Sequence, residues 1–163
     1  MASENHPTGE RLPIDPDVAP SPGSTRTGGE RTSVLFAIAL GAVLGAPARY
    51  GIAQLIHVPA GSFPWATFVT NVTGSFVLGL FMALILERFP PTRYLRPFVA
   101  TGFLGAYTTY STFAVETDLL VKQGHVAVAL AYAAASLLAG FIAVWAGIWM
   151  ARTVPVPHRG GKP

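Results

Sequence analysis

The sequence predicts an all-α integral membrane protein, a bundle of four spanning helices, and three observations carry that prediction. Only 12% of the residues are charged and 51% are apolar, where a soluble domain has roughly 25% charged residues, and mean hydropathy is +0.46. The apolar residues fall into four runs, each near the ~20 residues that cross a bilayer as a helix. The basic residues flank those runs and do not form a stripe or interleave with aromatics. They read as topology signals, so no nucleic-acid partner is expected.

Residues 1–32 stand apart from the rest. Five prolines by Pro22, with Gly, Ser, Thr and scattered charge, cannot bury a core, and this tail is expected to be disordered. No apolar h-region follows a basic start, so a cleaved signal peptide is not expected. The subunit proper is placed at 33–151. Its first span, 34–56, is apolar up to Arg49, Tyr50 and Gln54. The second, 64–86, opens on Pro64 and Trp65 and closes at Glu87 and Arg88 before the Pro90-Pro91 turn. The third covers 94–121, a short connection follows at 122–125, and the fourth is 126–150, leaving 152–163 as a short basic tail. Short links favour antiparallel neighbours with both termini on one side. Eight Lys and Arg residues flank that side and only Lys122 lies clearly on the other, which places the termini inside. No internal repeat is visible, and four helices enclose little volume, so a pore is more simply built by an oligomer.

The third run holds the least lipid-like stretch of the chain. TGFLGAYTTYST at 101–112 carries seven hydroxyls and two glycines in twelve residues. Unsatisfied polar groups in hydrocarbon cost several kcal/mol each, roughly, so this stretch must line a cavity or face protein. Gly102 and Gly105 weaken a helix, and Thr108, Thr109, Ser111 and Thr112 can bond the backbone in place of the helical ladder. A break between two half-helices would create an ion site, with free carbonyls at one end and free N–H groups at the other. Close packing of a continuous helix uses the same residues. Both readings stand on composition alone. The chain has no cysteine, which removes disulfides and thiolate sites, and no nucleophile-base pair, metal cluster or phosphate loop points to an enzyme.

GFLGAYTTYSTF at 102–113, followed by Glu116, resembles the third-span signature of the Fluc (CrcB) fluoride channel family. FVTNVTGSFVLGL at 68–80 is similar to its second-span signature, GAVLGAPARYG at 41–51 to its first-span segment ending in Arg-Tyr, and Tyr132 with Ser136 to its fourth-span pair. The resemblance covers 34 to about 150. It implies an antiparallel dimer of four-helix subunits in the cell membrane, each with a broken third span, that conducts fluoride passively out of the cell. It also implies a structural Na⁺ at the dimer centre, held by backbone carbonyls at Gly105 and Thr108 of both subunits. Unwound backbone is a suitable ligand, since a hard cation prefers oxygen.

For fluoride, the resemblance implies a route along Asn71, Tyr110, Ser111, Thr112, Phe113, Tyr132 and Ser136. Hydroxyl and amide donors there would replace water without trapping the anion by full charge, and the positive ring edge of Phe113 fits an anion. At Tyr110 the family usually has Phe, so this chain adds a hydroxyl. Arg49 matches a vestibule arginine, although snorkelling to the interface is its ordinary role. Glu116 is family-matched and structural, since a carboxylate repels an anion. Two features set limits. A subunit that inserts both ways should have balanced Lys and Arg, so the bias here raises a heterodimer with an oppositely oriented homologue beside the homodimer. A small multidrug-type antiporter would need a membrane carboxylate where the first span offers Arg49, and a nonconducting assembly protein would use the small residues for packing alone.

Overall fold

The computed structural model describes residues 28–88 and 93–153. Among these the elements are all helical: α1 (Gly28–Leu55), α2 (Trp65–Arg88), a π-helical segment (Pro97–Leu104), α3 (Gly105–Tyr107), α4 (Tyr110–Lys122) and α5 (Val126–Thr153). The expected disorder of 1–27, the Pro90-Pro91 turn and the basic tail from 154 lie outside the described residues.

Helix α1 begins at Gly28, which corrects the expectation of disorder through residue 32. Glu30 lies in its first turn, where a carboxylate complements the helix dipole. It also pairs with Arg93 at 2.6 Å, joining the start of α1 to the chain entering the π-helical segment. The hydrogen bond to that carboxylate raises the pKa of the exposed Arg93.

Among the described residues three helices are long and apolar enough to cross a membrane, at Gly29–Leu55, Trp65–Ile85 and Val126–Thr153. The run expected as a third span is divided into the π-helical segment, α3 and α4, so no piece of it reaches the ~20-residue length. Its far end is closed by Gly124 at φ +83, with His125 N–H donating to Leu120 O at 2.8 Å and Gly124 N–H to Val121 O at 3.0 Å. That glycine turn explains how so short a link feeds α5.

Packing joins α2 chiefly to α5, and α1 to the π-helical segment and α3. Both contacts are made backbone to backbone through glycine. Gly147 lies against Phe76 O and Leu80 N, and Gly79 against Val144 O; on the other pair, Gly41 meets Phe98 O, Gly45 meets Phe103 O, and Gly102 meets Ile38 O. A Cβ at any of these would approach a backbone atom to under 3.0 Å. Leu120 and Tyr132 form one buried cluster with Ala129, flanked by Phe63, Phe68 and Phe113. The outer faces of α1 and α5 expose Phe36, Leu44, Leu138, Phe141 and Trp145, as suits helices whose surroundings are as apolar as leucine.

Candidate functional site

The helical ladder stops at Tyr107 and resumes at Tyr110. Between them Thr108 (φ −79, ψ 160) and Thr109 (φ −148, ψ 124) are extended. The Thr108 N–H and its Oγ1 both donate to Leu104 O at 2.9 Å, which ends α3. Thr109 then caps α4, accepting the Thr112 N–H on its Oγ1 at 3.1 Å.

Asn71 of α2 holds the extended pair from the side. Its Oδ1 accepts the Thr109 N–H at 2.8 Å and its Nδ2 donates to Thr109 O at 2.9 Å. In a continuous α-helix the Thr109 N–H would bond Gly105 O and the Thr112 N–H would bond Thr108 O. Asn71 takes the first of those donors and the Thr109 hydroxyl takes the second. The carbonyls of Gly105 and Thr108 therefore lose their helical partners. Gly105 is exposed, with no atom closer to an added Cβ than 3.8 Å.

Two cavities flank the break. The larger, about 430 Å³, gathers Asn71, Gly105, Thr108, Tyr110, Phe113 and Ser136 from the residues expected at a site. Ser136 Oγ is buried there without a hydrogen-bond partner among the described residues, a condition native structures rarely leave unexplained. Asn71 spends one amide proton on Thr109 and keeps a second. The smaller cavity, about 200 Å³, brings Arg49 of α1 to Thr112, Thr109, Thr67 and Thr70. Thr109 lines both. Its hydroxyl donates to Thr112 Oγ1 at 3.0 Å and lies 3.3 Å from Ser111 Oγ, so Ser111 supplies the proton of that last contact. Donation thus runs Ser111 to Thr109 to Thr112, and the Thr112 proton remains for a further acceptor.

Tyr132 and Glu116 are placed elsewhere. Tyr132 is fully buried, and its hydroxyl donates to Glu116 Oε2 at 2.8 Å, while Thr67 donates to Oε1 at 2.9 Å. Neither Tyr132 nor Glu116 lines the two cavities beside the break; Glu116 instead opens onto a third hollow under the loop 58–64. Tyr132 meets the site through its ring, 5.0 Å from that of Phe113, which in turn is 6.1 Å from that of Tyr110. Thr67 and Thr70 went unmarked in the sequence reading, and Thr109 entered it only as a hydroxyl able to bond the backbone, not as a helix cap. The preference for Thr at helix starts could have marked Thr109, but no spacing signal distinguishes Thr67 or Thr70 from ordinary packing hydroxyls.

Residues 36–148 match the family described as CrcB-like protein, Camphor Resistance (CrcB). The chain is 47% identical over 137 residues to the fluoride-specific ion channel FluC 3 of Streptomyces avermitilis, covering 81% of this chain and 67% of that protein. It is 45% identical over 136 residues to fluoride-specific ion channel FluC 1 of Streptomyces coelicolor, covering 83% and 86%. Against fluoride-specific ion channel FluC 2 of Nocardia farcinica it is 45% identical over 120 residues, covering 74% and 86%. A match that runs from the first long helix to the last, with relatives this similar over most of their length, means that the chain belongs to the CrcB family.

Proposed function

We infer that this multi-pass membrane protein is the subunit of a fluoride-specific ion channel, through which fluoride leaves the cell passively and its cytoplasmic toxicity falls. The observation that carries this reading, beside the relatives' names, is the uncommitted donor set around the break. Among the described residues Ser136 Oγ lacks a partner and Asn71 keeps an amide proton, and both residues line the same cavity as Phe113 and Tyr110. Neutral donors suit a small anion that must be released again. An enzyme is not indicated.

Exposure at the break supports a second subunit. Gly105, Tyr110, Ser111 and Thr112 are all open in the single chain, Tyr110 at 81%. Irregular backbone at membrane depth is tolerated only against protein or a water-filled cavity, so a partner crossing here in antiparallel orientation, each with a broken third span, accounts for the surface. The freed carbonyls of Gly105 and Thr108 fit a structural Na⁺ at that crossing, since they offer oxygen without a buried carboxylate. When bound, the ion would supply a fixed positive charge holding the two breaks together. The Lys and Arg bias favours a fixed orientation, hence an oppositely inserted homologue as partner, with a homodimer as the other arrangement.

A fluoride electrode on reconstituted liposomes tests the function. Fast efflux selective over chloride and independent of a proton gradient is expected. Flux that follows the proton gradient would replace this reading with an antiporter, and no flux from the chain alone or with a homologous partner would leave only an assembly role.

A further inference from the structure

Helix α2 grips the break at a second point, which Asn71 does not explain. Tyr107, the last residue of α3, has its hydroxyl 2.8 Å from Thr73 Oγ1. A threonine hydroxyl has one proton, and Thr73 lies 2.7 Å from Val69 O, which accepts it. The Tyr107 phenol therefore donates. Its proton is committed to α2 and is not on offer to an anion. The ring is held on two more sides: it stacks on Phe103 at 5.9 Å and 6°, and it lies over Gly74, where an added Cβ would come within 3.2 Å of Tyr107 Cδ1. The Tyr107 backbone N in turn sits 3.1 Å from where a Cβ on Gly45 would be. The residue is thus fixed between α1 and α2, immediately before the chain turns to ψ 160 at Thr108.

We propose that Tyr107 is a positioning residue for the cation-holding break, its phenolic bond to Thr73 setting where the chain leaves α3 and hence where the Thr108 carbonyl stands. The inference rests on the reading of Gly105 and Thr108 as Na⁺ ligands. Asn71 fixes the residue after Thr108 and Tyr107 the residue before it, so the carbonyl between them is held from both sides by α2.

The test measures the thermal midpoint of the purified full chain in detergent across NaCl concentrations, with choline chloride keeping ionic strength constant. In the wild type the midpoint should rise with Na⁺. Tyr107→Phe keeps the stack and the fit over Gly74, and should raise the Na⁺ concentration needed for a fixed rise in midpoint about three- to tenfold, the range of one hydrogen bond between helices. Thr73→Val should give the same shift, the double variant no more than either alone, and Thr73→Ser the wild-type value. If Tyr107→Phe does not fold, Thr73→Val reads the same bond from the other helix. A variant that lowers the Na⁺-free midpoint and leaves the Na⁺ concentration needed for the same rise unchanged has lost packing only, and overturns the inference alone. A wild type insensitive to Na⁺ overturns the cation reading and this inference together.

Discussion

Asn71 performs two tasks with one amide, and substitutions separate them. Its Oδ1 and one Nδ2 proton hold Thr109 in the extended conformation, while the other proton has no partner among the described residues and Asn71 lines the larger cavity. Asn71→Ala strands the N–H and C=O of the buried Thr109 and should lower stability by about 1–3 kcal/mol, read as a drop in thermal midpoint together with loss of flux. Asn71→Asp keeps the acceptor for the Thr109 N–H but removes both donors and adds a charge; efflux should stop. Ser136 is the opposite case. Its hydroxyl has nothing to lose in the resting structure, so Ser136→Ala should leave the midpoint unchanged and slow efflux about tenfold, one hydrogen bond's worth. Unaltered efflux would remove Ser136 from the route. Tyr110→Phe should retain efflux, since ring and position are kept; complete loss would make its hydroxyl essential.

At the scale of elements, the long apolar runs were legible because bilayer length and flanking charge leave few choices for α1, α2 and α5. The divided run was legible only as a composition. Seven hydroxyls at 101–112 showed that the stretch was unsuited to lipid, yet which adjacent threonine ends one helix and which caps the next depends on Asn71, more than thirty residues away. The π-helical register at Pro97–Leu104 had no sequence signal either. It is seated on backbone atoms beside Gly41 and Gly45, and glycine spacing does not say which glycines of a helix find a neighbour. Gly51 shows the difference, with nothing within 4 Å of an added Cβ. Gly41→Ala should therefore destabilise by about 1–3 kcal/mol through overpacking, whereas Gly51→Ala should stabilise by up to about 1 kcal/mol through helix propensity. Chemical or thermal unfolding of the two variants side by side checks the contrast.

For the whole molecule, the polar surface at the break faces outward, with Gly105, Tyr110, Ser111 and Thr112 all exposed. The family resemblance named six of the thirteen residues that line the larger cavity, and gave no sign that the Tyr132 hydroxyl is committed to Glu116. Sequence could not see that commitment, since the pair meets only when α4 and α5 pack. Orientation is testable at this scale. Tags at each terminus, probed in intact cells, should report a single orientation if the eight-to-one Lys and Arg bias governs insertion, and two equal populations would restore a dual-topology homodimer.

Thr109 has a last consequence. It is the shared wall of the two cavities, and the same side chain caps α4, accepts a hydrogen bond from Ser111 and donates one to Thr112. Swinging aside would surrender all of those bonds and unravel the start of a helix, so Thr109 is a fixed partition and not a door. On the proposed channel reading, an ion passing between the two cavities would meet a rim pinned by three hydrogen bonds and not a hinged gate.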